Sequence, residues 1–229
     1  MSKKILITGA GSGFGEGTVI GLAQQGHQVI AGVHDWPQAS RLRKRVEALG
    51  LQDNLRVEKL DILHEYDVVN ALKWDIDILV NNAGLGENGP IAEIPLDLVR
   101  NTFETNVFGT LNLTQKFVRK FVDSNQHAQV VFVTSMGGLI SPPGYGSYCA
   151  SKHALECIAE TMGAELAPFN IKVKTINPGA FDTGFNQTMA ETTYHWQDDN
   201  KHFNKEADIR ASFDELLVGQ FDPQIMIDA

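Results

Sequence analysis

The stretch that decides the fold is Lys4-Ile5-Leu6-Ile7-Thr8-Gly9-Ala10-Gly11-Ser12-Gly13-Phe14-Gly15. Lys4–Thr8 reads as a strand with apolar residues at consecutive positions, the pattern of a parallel strand buried on both faces. Four glycines within seven residues follow, and then a helical stretch over Gly15–Gln25. Glycines let a backbone approach a pyrophosphate closely. A helix N-terminus adds unpaired N–H groups and a partial positive charge. The spacing G-x-G-x-x-G is absent; what occurs is Thr-Gly, three residues, Gly, one residue, Gly. Between the first strand and first helix of an α/β chain, this cluster is expected to be a cofactor loop involving Thr8, Gly9, Gly11, Ser12, Gly13, Phe14 and Gly15.

The rest of the chain repeats the alternation. Gln28–Val33, Arg56–Lys59, Asp77–Asn81, Gln129–Thr134 and Lys172–Ile176 read as further strands. Helices are expected over 38–49, 66–73, 96–122 and 147–166. Alternating strands and helices imply right-handed βαβ crossovers. The expected fold is therefore α/β: a Rossmann-type doubly wound parallel sheet with helices on both faces. No repeat or linker divides the 229 residues, so one catalytic domain over 1–229 is expected. Residues 183–207 are polar with scattered aromatics, which suits a mobile flap over a pocket, extending to about 215.

Composition excludes several functions. The chain is 43% hydrophobic and 21% charged with a net charge of −9. Its one basic cluster, Arg41-Leu42-Arg43-Lys44-Arg45, reads as a solvated helix turn rather than a nucleic-acid patch. No apolar run could span a bilayer or serve as a signal peptide, so a cytoplasmic protein is expected. On one helix, Cys149 and Cys157 would lie about 12 Å apart, too far for a disulfide. The seven histidines form no metal-ligand spacing, so no metal is expected.

Ser147-Tyr148-Cys149-Ala150-Ser151-Lys152 places Tyr148 and Lys152 four apart on a predicted helix, hence on one face. A phenol titrates near ~10 in water, poor for proton transfer at neutral pH. A nearby ammonium and an oxidised nicotinamide would both bring that value down. Ser135 ends the strand Val130-Val131-Phe132-Val133-Thr134, at the edge where such sheets bind ligands. Its hydroxyl could hold a substrate oxygen near Tyr148.

With these motifs in the expected order over residues 3–184, the chain resembles the short-chain dehydrogenase/reductase family, in its single-domain branch. Thr8-Gly9-x-x-x-Gly13-x-Gly15 matches that family's cofactor loop, and Asn81-Asn82-Ala83-Gly84 its fourth-strand motif. Asn106, Ser135, Tyr148 and Lys152 match its catalytic positions. Pro178-Gly179, with Thr183 four residues later, matches the segment that embraces the nicotinamide.

The resemblance implies an NAD(P)-dependent oxidoreductase moving a hydride between nicotinamide and a carbonyl or alcohol. Tyr148 would be the general acid in reduction and the base in oxidation. Lys152 would lower its pKa and bind the nicotinamide ribose, Ser135 would orient the carbonyl, and Asn106 would order a water leading from Lys152 to solvent. Asn82, Ala83 and Gly84 would lie along the adenosine side, with Asp61 and Ile62 at the adenine. The alternative is a catalytically silent dinucleotide-binding sensor or scaffold, which the intact catalytic set argues against.

Two departures stand out. The end of the second strand, Val33-His34-Asp35, lacks an aligned carboxylate to hold the ribose hydroxyls of NAD, and His34 stands where NADP users often carry Arg. The reading leans to NADP over NAD. The chain also stops at Ala229, without the family's seventh strand, so the C-terminus reads as shortened and the sixth strand's edge as exposed. A homodimer through segments 97–122 and 148–166 could survive this. Met136, Leu139, Ile140, Pro142, Tyr145, Phe181 and Phe185 suggest a small apolar carbonyl or alcohol substrate. Segments 134–138, 148–155 and 167–171 are similar to those of steroid- and retinol-handling relatives.

Overall fold

A computed structural model describes residues 2–228. Met1 and Ala229, the residue at which the chain stops, lie outside the described residues. Six strands form one parallel sheet: β1 (Lys4–Thr8), β2 (Gln28–Val33), β3 (Leu55–Lys59), β4 (Ile78–Asn81), β5 (Gln129–Val133) and β6 (Lys172–Ile176). Their spatial order is β3-β2-β1-β4-β5-β6, and every neighbouring pair is parallel. Six expected strands are six observed strands, with ends differing by one residue at most. The order reverses at β1, which pairs with β2 on one side and β4 on the other. Ligands of doubly wound sheets bind at such a switch point, beyond the C-terminal ends of the strands.

Helices cover both faces because the strands are apolar on both. On one face α1 (Gly13–Gln24) and α2 (Trp36–Ala48) bury Val19, Ala23, Leu42 and Val46 against Ile5, Ile7, Val29 and Val57. The other face is larger, and Leu113, Phe117, Phe121 and Leu155 pack there on Leu6, Leu79, Val130 and Phe132. Asp35 starts α2 by accepting the Gln38 N–H at 2.8 Å, and Pro37 follows in the first turn, where its missing N–H costs nothing.

The single long helix expected over 96–122 is interrupted. It runs as α4 (Leu96–Phe103), a π-helical turn (Glu104–Gly109) and α5 (Thr110–Asp123). Apolar periodicity cannot show this, because one wider turn leaves the spacing on either side helical. Next come α3 (Glu65–Ala71), between β3 and β4, and the 21-residue α6 (Gly146–Leu166). Cys149 and Cys157 on α6 are both free thiols.

The segment with no clear period contains helix: α7 (Phe185–Tyr194) and α8 (Glu206–Val218). Met189, Ala190, Ile209 and Phe213 form a third apolar cluster with Tyr145 and Cys149. Phe221 then makes one parallel bridge to Phe181, and α9 (Gln224–Ile227) lies on α1, where a Cβ on Gly17 would meet Ile227 Cδ1 at 2.3 Å. Strand β6 is left at the sheet edge with Lys172, Lys174 and Ile176 exposed; edge lysines discourage further pairing. Among the described residues no helix is long and apolar enough to cross a membrane.

Phe117 is fully enclosed at the centre of the larger core, 6.0 Å from the Phe121 ring. Phe117→Ala should cost about 3–5 kcal/mol, read as a lower urea midpoint at unchanged slope.

Candidate active site

Thr8 ties the cofactor loop to the end of β4. Its hydroxyl oxygen accepts the N–H groups of Asn82 and Ala83 at 3.1 and 3.0 Å. The Asn82 side-chain amide donates back to the carbonyls of Thr8 and Gly9 at 3.0 and 3.2 Å. The two backbones approach so closely that a Cβ on Gly9 would lie 2.6 Å from Ala83 Cα, and Gly9 has a φ of +64°. Gly15 is equally constrained, since a Cβ there would lie 2.4 Å from the Gly9 carbonyl oxygen. Glycine is therefore required at both positions.

The loop leaves the start of α1 open. Ser12 is its extended N-cap residue but makes no side-chain cap bond, so its hydroxyl leaves the first-turn N–H groups without a cap. An anionic pyrophosphate fits such a terminus. From outside, Arg41 donates to the Gly11 carbonyl, and Gln38 packs against Gly11 while accepting the His34 N–H at 3.1 Å.

A cleft of about 560 Å³ runs from this loop to α6. Of the residues expected at the site, it is lined by Gly9, Ser12, Gly13, Phe14, Gly15, Asn82, Ala83, Gly84, Ser135, Tyr148, Lys152, Pro178, Gly179 and Thr183. Thr8, Gly11, His34, Asp61, Ile62 and Asn106 do not line it. Thr8 and Gly11 act through the loop. His34 and Asp61 face one another at 3.8 Å past the ends of β2 and β3, and Asp61 also accepts the Leu63 N–H at 2.9 Å. Ile62 is buried in the larger core. The remaining wall mixes Leu85, Val133, Phe181, Phe185 and Met189 with Gly86, Gly184 and the polar Thr134, Asn186, Thr188 and Thr192, and Glu87 is the only carboxylate among the lining residues.

At the α6 end, Ser135 sits past β5 in extended backbone, its hydroxyl accepting the Gly137 N–H at 3.0 Å. The Lys152 ammonium is 5.6 Å from the Tyr148 ring centroid and donates to the Val133 carbonyl at 3.0 Å. Burial drives the Lys152 pKa down to about 8, against a rise from the Glu156 carboxylate. The Tyr148 phenol goes the other way: burial pushes it up to about 12, and a hydrogen bond with Ser135 partly offsets this. The expected lowering by Lys152 is thus not what governs the phenol in the cofactor-free site, where desolvation outweighs a cation lying beside the ring rather than at the oxygen.

Asn106 occupies the π-helical turn. Its amide accepts the Leu85 N–H and donates to the Leu85 carbonyl, both at 2.8 Å, and to Ser151 Oγ at 3.0 Å. It thereby clamps the strand β4 loop to α6, with a Cβ on Gly84 placed 3.1 Å from Asn106 Oδ1 and 3.6 Å from Lys152 Nζ. Ser151, Gln38 and Arg41 went unassigned in the sequence. Ser151 carried a usable signal, being i+3 from Tyr148 on the catalytic face. Arg41 had none, because its partner is a backbone carbonyl thirty residues away, and Gln38 meets the loop only through its packing on Gly11.

The fold that carries this cleft is that of an oxidoreductase family. The pattern described as short chain dehydrogenase matches residues 3–193, and the chain belongs to that family, whose members act on CH–OH and C=O groups. It is 38% identical over 189 residues to the uncharacterized oxidoreductase YusZ of Bacillus subtilis, covering 80% of this chain and 67% of that protein. It is 34% identical over 197 residues to the 3-ketodihydrosphingosine reductase of Bacteroides thetaiotaomicron, covering 82% and 68%. Among solved structures, the 3-ketoacyl-(acyl-carrier-protein) reductase of Brucella melitensis complexed with NADH superposes with a TM-score of 0.74 at 31% identity, covering 82% of this chain and 79% of that one.

Thr8→Val preserves shape but orphans two backbone N–H groups. It should destabilise the fold by about 2 kcal/mol or more and speed amide exchange at Asn82 and Ala83.

Proposed function

We propose that the chain reduces the carbonyl of an apolar substrate with NADPH, using Tyr148 as the general acid. The observation that carries this is the convergence of Ser135, Tyr148 and Lys152 on a cleft continuous with the glycine loop. The open terminus of α1, the close approach at Gly9 and the empty space beside Gly179 fit a nicotinamide dinucleotide laid along it.

A reduced nicotinamide held along the cleft would supply the hydride for the carbonyl carbon, and Lys152 is placed to hold its ribose. Ser135 donates a hydrogen bond to the carbonyl oxygen and holds it beside the Tyr148 hydroxyl. Tyr148 gives that oxygen its proton as the negative charge develops. Lys152, held as the ammonium, stabilises the phenolate left behind and reaches the nicotinamide ribose. Asn106 keeps the loop after β4 against α6, the position from which a water could return a proton by way of Lys152. A phenol pushed up to about 12 stays protonated at neutral pH but is a weaker acid than free tyrosine, so its proton donation depends on the positive charge of Lys152 and of the oxidised nicotinamide formed by the reaction. The apolar wall of Leu85, Phe181, Phe185 and Met189 suits an apolar substrate, and α7, which carries Met189, is the lid over it.

The lean to NADP rests on charge. Val33 is enclosed and the Asp35 carboxylate is taken up as the cap of α2, so the end of β2 offers no free acid for ribose hydroxyls. His34 and Arg41 stand beside the loop instead. Asp61 and Ile62 then belong at the adenine side. The homodimer through segments 97–122 and 148–166 is supported by an exposed apolar strip of Leu63, Tyr66, Val69 and Phe108 beside the first of them.

Energy transfer from tryptophan to NADPH and NADH should show tighter binding of NADPH. Arg41→Ala should weaken NADPH roughly tenfold while leaving NADH nearly unchanged; equal losses for both would overturn the charge argument. Tyr148→Phe should abolish carbonyl reduction yet bind cofactor as the wild type does, and normal turnover by that variant would exclude the mechanism. Reduction should fall as pH rises past about 8, where Lys152 loses its proton, since the phenolate is then left without its cation.

A further inference from the structure

Lys152 has a neighbour that the proton-transfer scheme does not use. Glu156 lies one turn further along α6, so Tyr148, Lys152 and Glu156 fall at i, i+4 and i+8 on one helix face. Its carboxylate is only partly exposed and makes no ion pair with a Lys or Arg among the described residues. It is held instead by the side-chain amide of Asn177, which donates to Glu156 Oε1 at 2.5 Å and to Thr134 Oγ1 at 2.8 Å. Thr134 donates in turn to the Ile176 carbonyl at 3.1 Å. The same carboxyl side chain closes on the turn after Ser135, where a Cβ on Gly138 would lie 3.1 Å from Glu156 Cγ. One acid is thus fixed against the ends of β5 and β6, one helical turn from Lys152.

We propose that Glu156 is a positioning residue for Lys152: held by Asn177, its fixed negative charge keeps the buried lysine in the ammonium form that the reaction requires. A buried lysine tends to lose its proton, and an opposite charge nearby is what resists that loss. Here burial has already drawn Lys152 down to about 8, and the one charge opposing it is Glu156. The elements packed on α6 carry other charges: Asp97 and Arg100 on α4, Glu104 on the π-helical turn, and Lys172 and Lys174 on β6. The turn over Met136–Gly138 carries none, and α6 itself adds Tyr148, Cys149 and His153 near the lysine. None of these acts on Lys152 as Glu156 does. Without the carboxylate, the site would fall neutral within the physiological range, and proton donation by Tyr148 would lose its counter-charge. The second consequence is mechanical, since the Glu156–Asn177–Thr134 chain fixes the strand ends from which Ser135 projects.

The inference rests on the proposed role of Lys152, and its test does not need turnover. With lysines labelled at 13Cε, the Lys152 signal, identified by its loss in Lys152→Met, is followed across pH in the cofactor-free protein. The wild-type midpoint is expected near about 8. Glu156→Gln keeps an oxygen for Asn177 and removes only the charge, so it should make Lys152 roughly tenfold more acidic, about one pH unit lower. Glu156→Asp should restore most of the difference. A Glu156→Gln midpoint equal to that of the wild type would overturn the proposal, because a purely structural role would not move it. Failure of the wild type to bind either nicotinamide nucleotide would count against the proposed function instead, and the lysine titration would still decide the role of Glu156.

Discussion

Everything at this site hangs on the hydroxyl of Thr8. It ends β1 and receives two backbone N–H groups from the start of the loop after β4, a connection that spans more than seventy residues of chain. Because β1 and β4 are adjacent, the two loops leave the sheet side by side. The threonine then fixes their separation at a value that only glycine at position 9 can accommodate. The cleft is the space left beyond this junction. Its position is a consequence of strand order, and its width a consequence of two hydrogen bonds and a missing Cβ.

Helix α6 supplies the other wall and nearly all of the chemistry. Its length allows one face to present Tyr148, Ser151, Lys152 and Glu156 in succession while Leu155 and Ala159 anchor it in the core. Burial there has opposite effects on the two groups that matter. It disfavours the charged form of each, so the phenol is held protonated and the lysine is pressed toward neutrality. The carboxylate of Glu156, one turn further along α6, opposes the second of these effects. The π-helical turn completes the arrangement by carrying Asn106, whose amide joins the loop after β4 to the same helix.

The last fifth or so of the chain is organised differently from the rest. Residues 183–228 hold no strand of the main sheet; they close over the cleft by aromatic contact, with Phe181 between Phe14 and Phe221 at 5.2 and 5.8 Å. Met189 and Phe185 on α7 face the catalytic helix, the latter 5.7 Å from the Tyr148 ring. One side of the cleft is thus built from the part of the chain with the weakest periodic signal.

The sequence by itself determined the sheet, the glycine loop after β1 and the placing of Tyr148 and Lys152 on one helix face, because each is encoded locally. Consecutive apolar runs mark strands buried on both faces, a glycine cluster after the first of them marks the loop, and a spacing of four sets Tyr148 above Lys152. It left open the π-helical turn, since a single widened turn leaves the apolar period intact on both sides. It also could not find α7, where the helix former is tertiary packing on Tyr145 and Cys149 rather than a clear amphipathic pattern. Only the tertiary structure decided that Asp35 is spent as a helix cap, that Arg41 reaches the Gly11 carbonyl thirty residues away, and that Asn177 holds Glu156 beside Lys152. The last two join residues distant in the chain through single hydrogen bonds that no periodicity or spacing records, whereas the Asp35 cap is local, three residues from its partner Gln38. The direction of the Tyr148 shift belongs with them, because desolvation depends on what encloses a group and not on its neighbours in sequence.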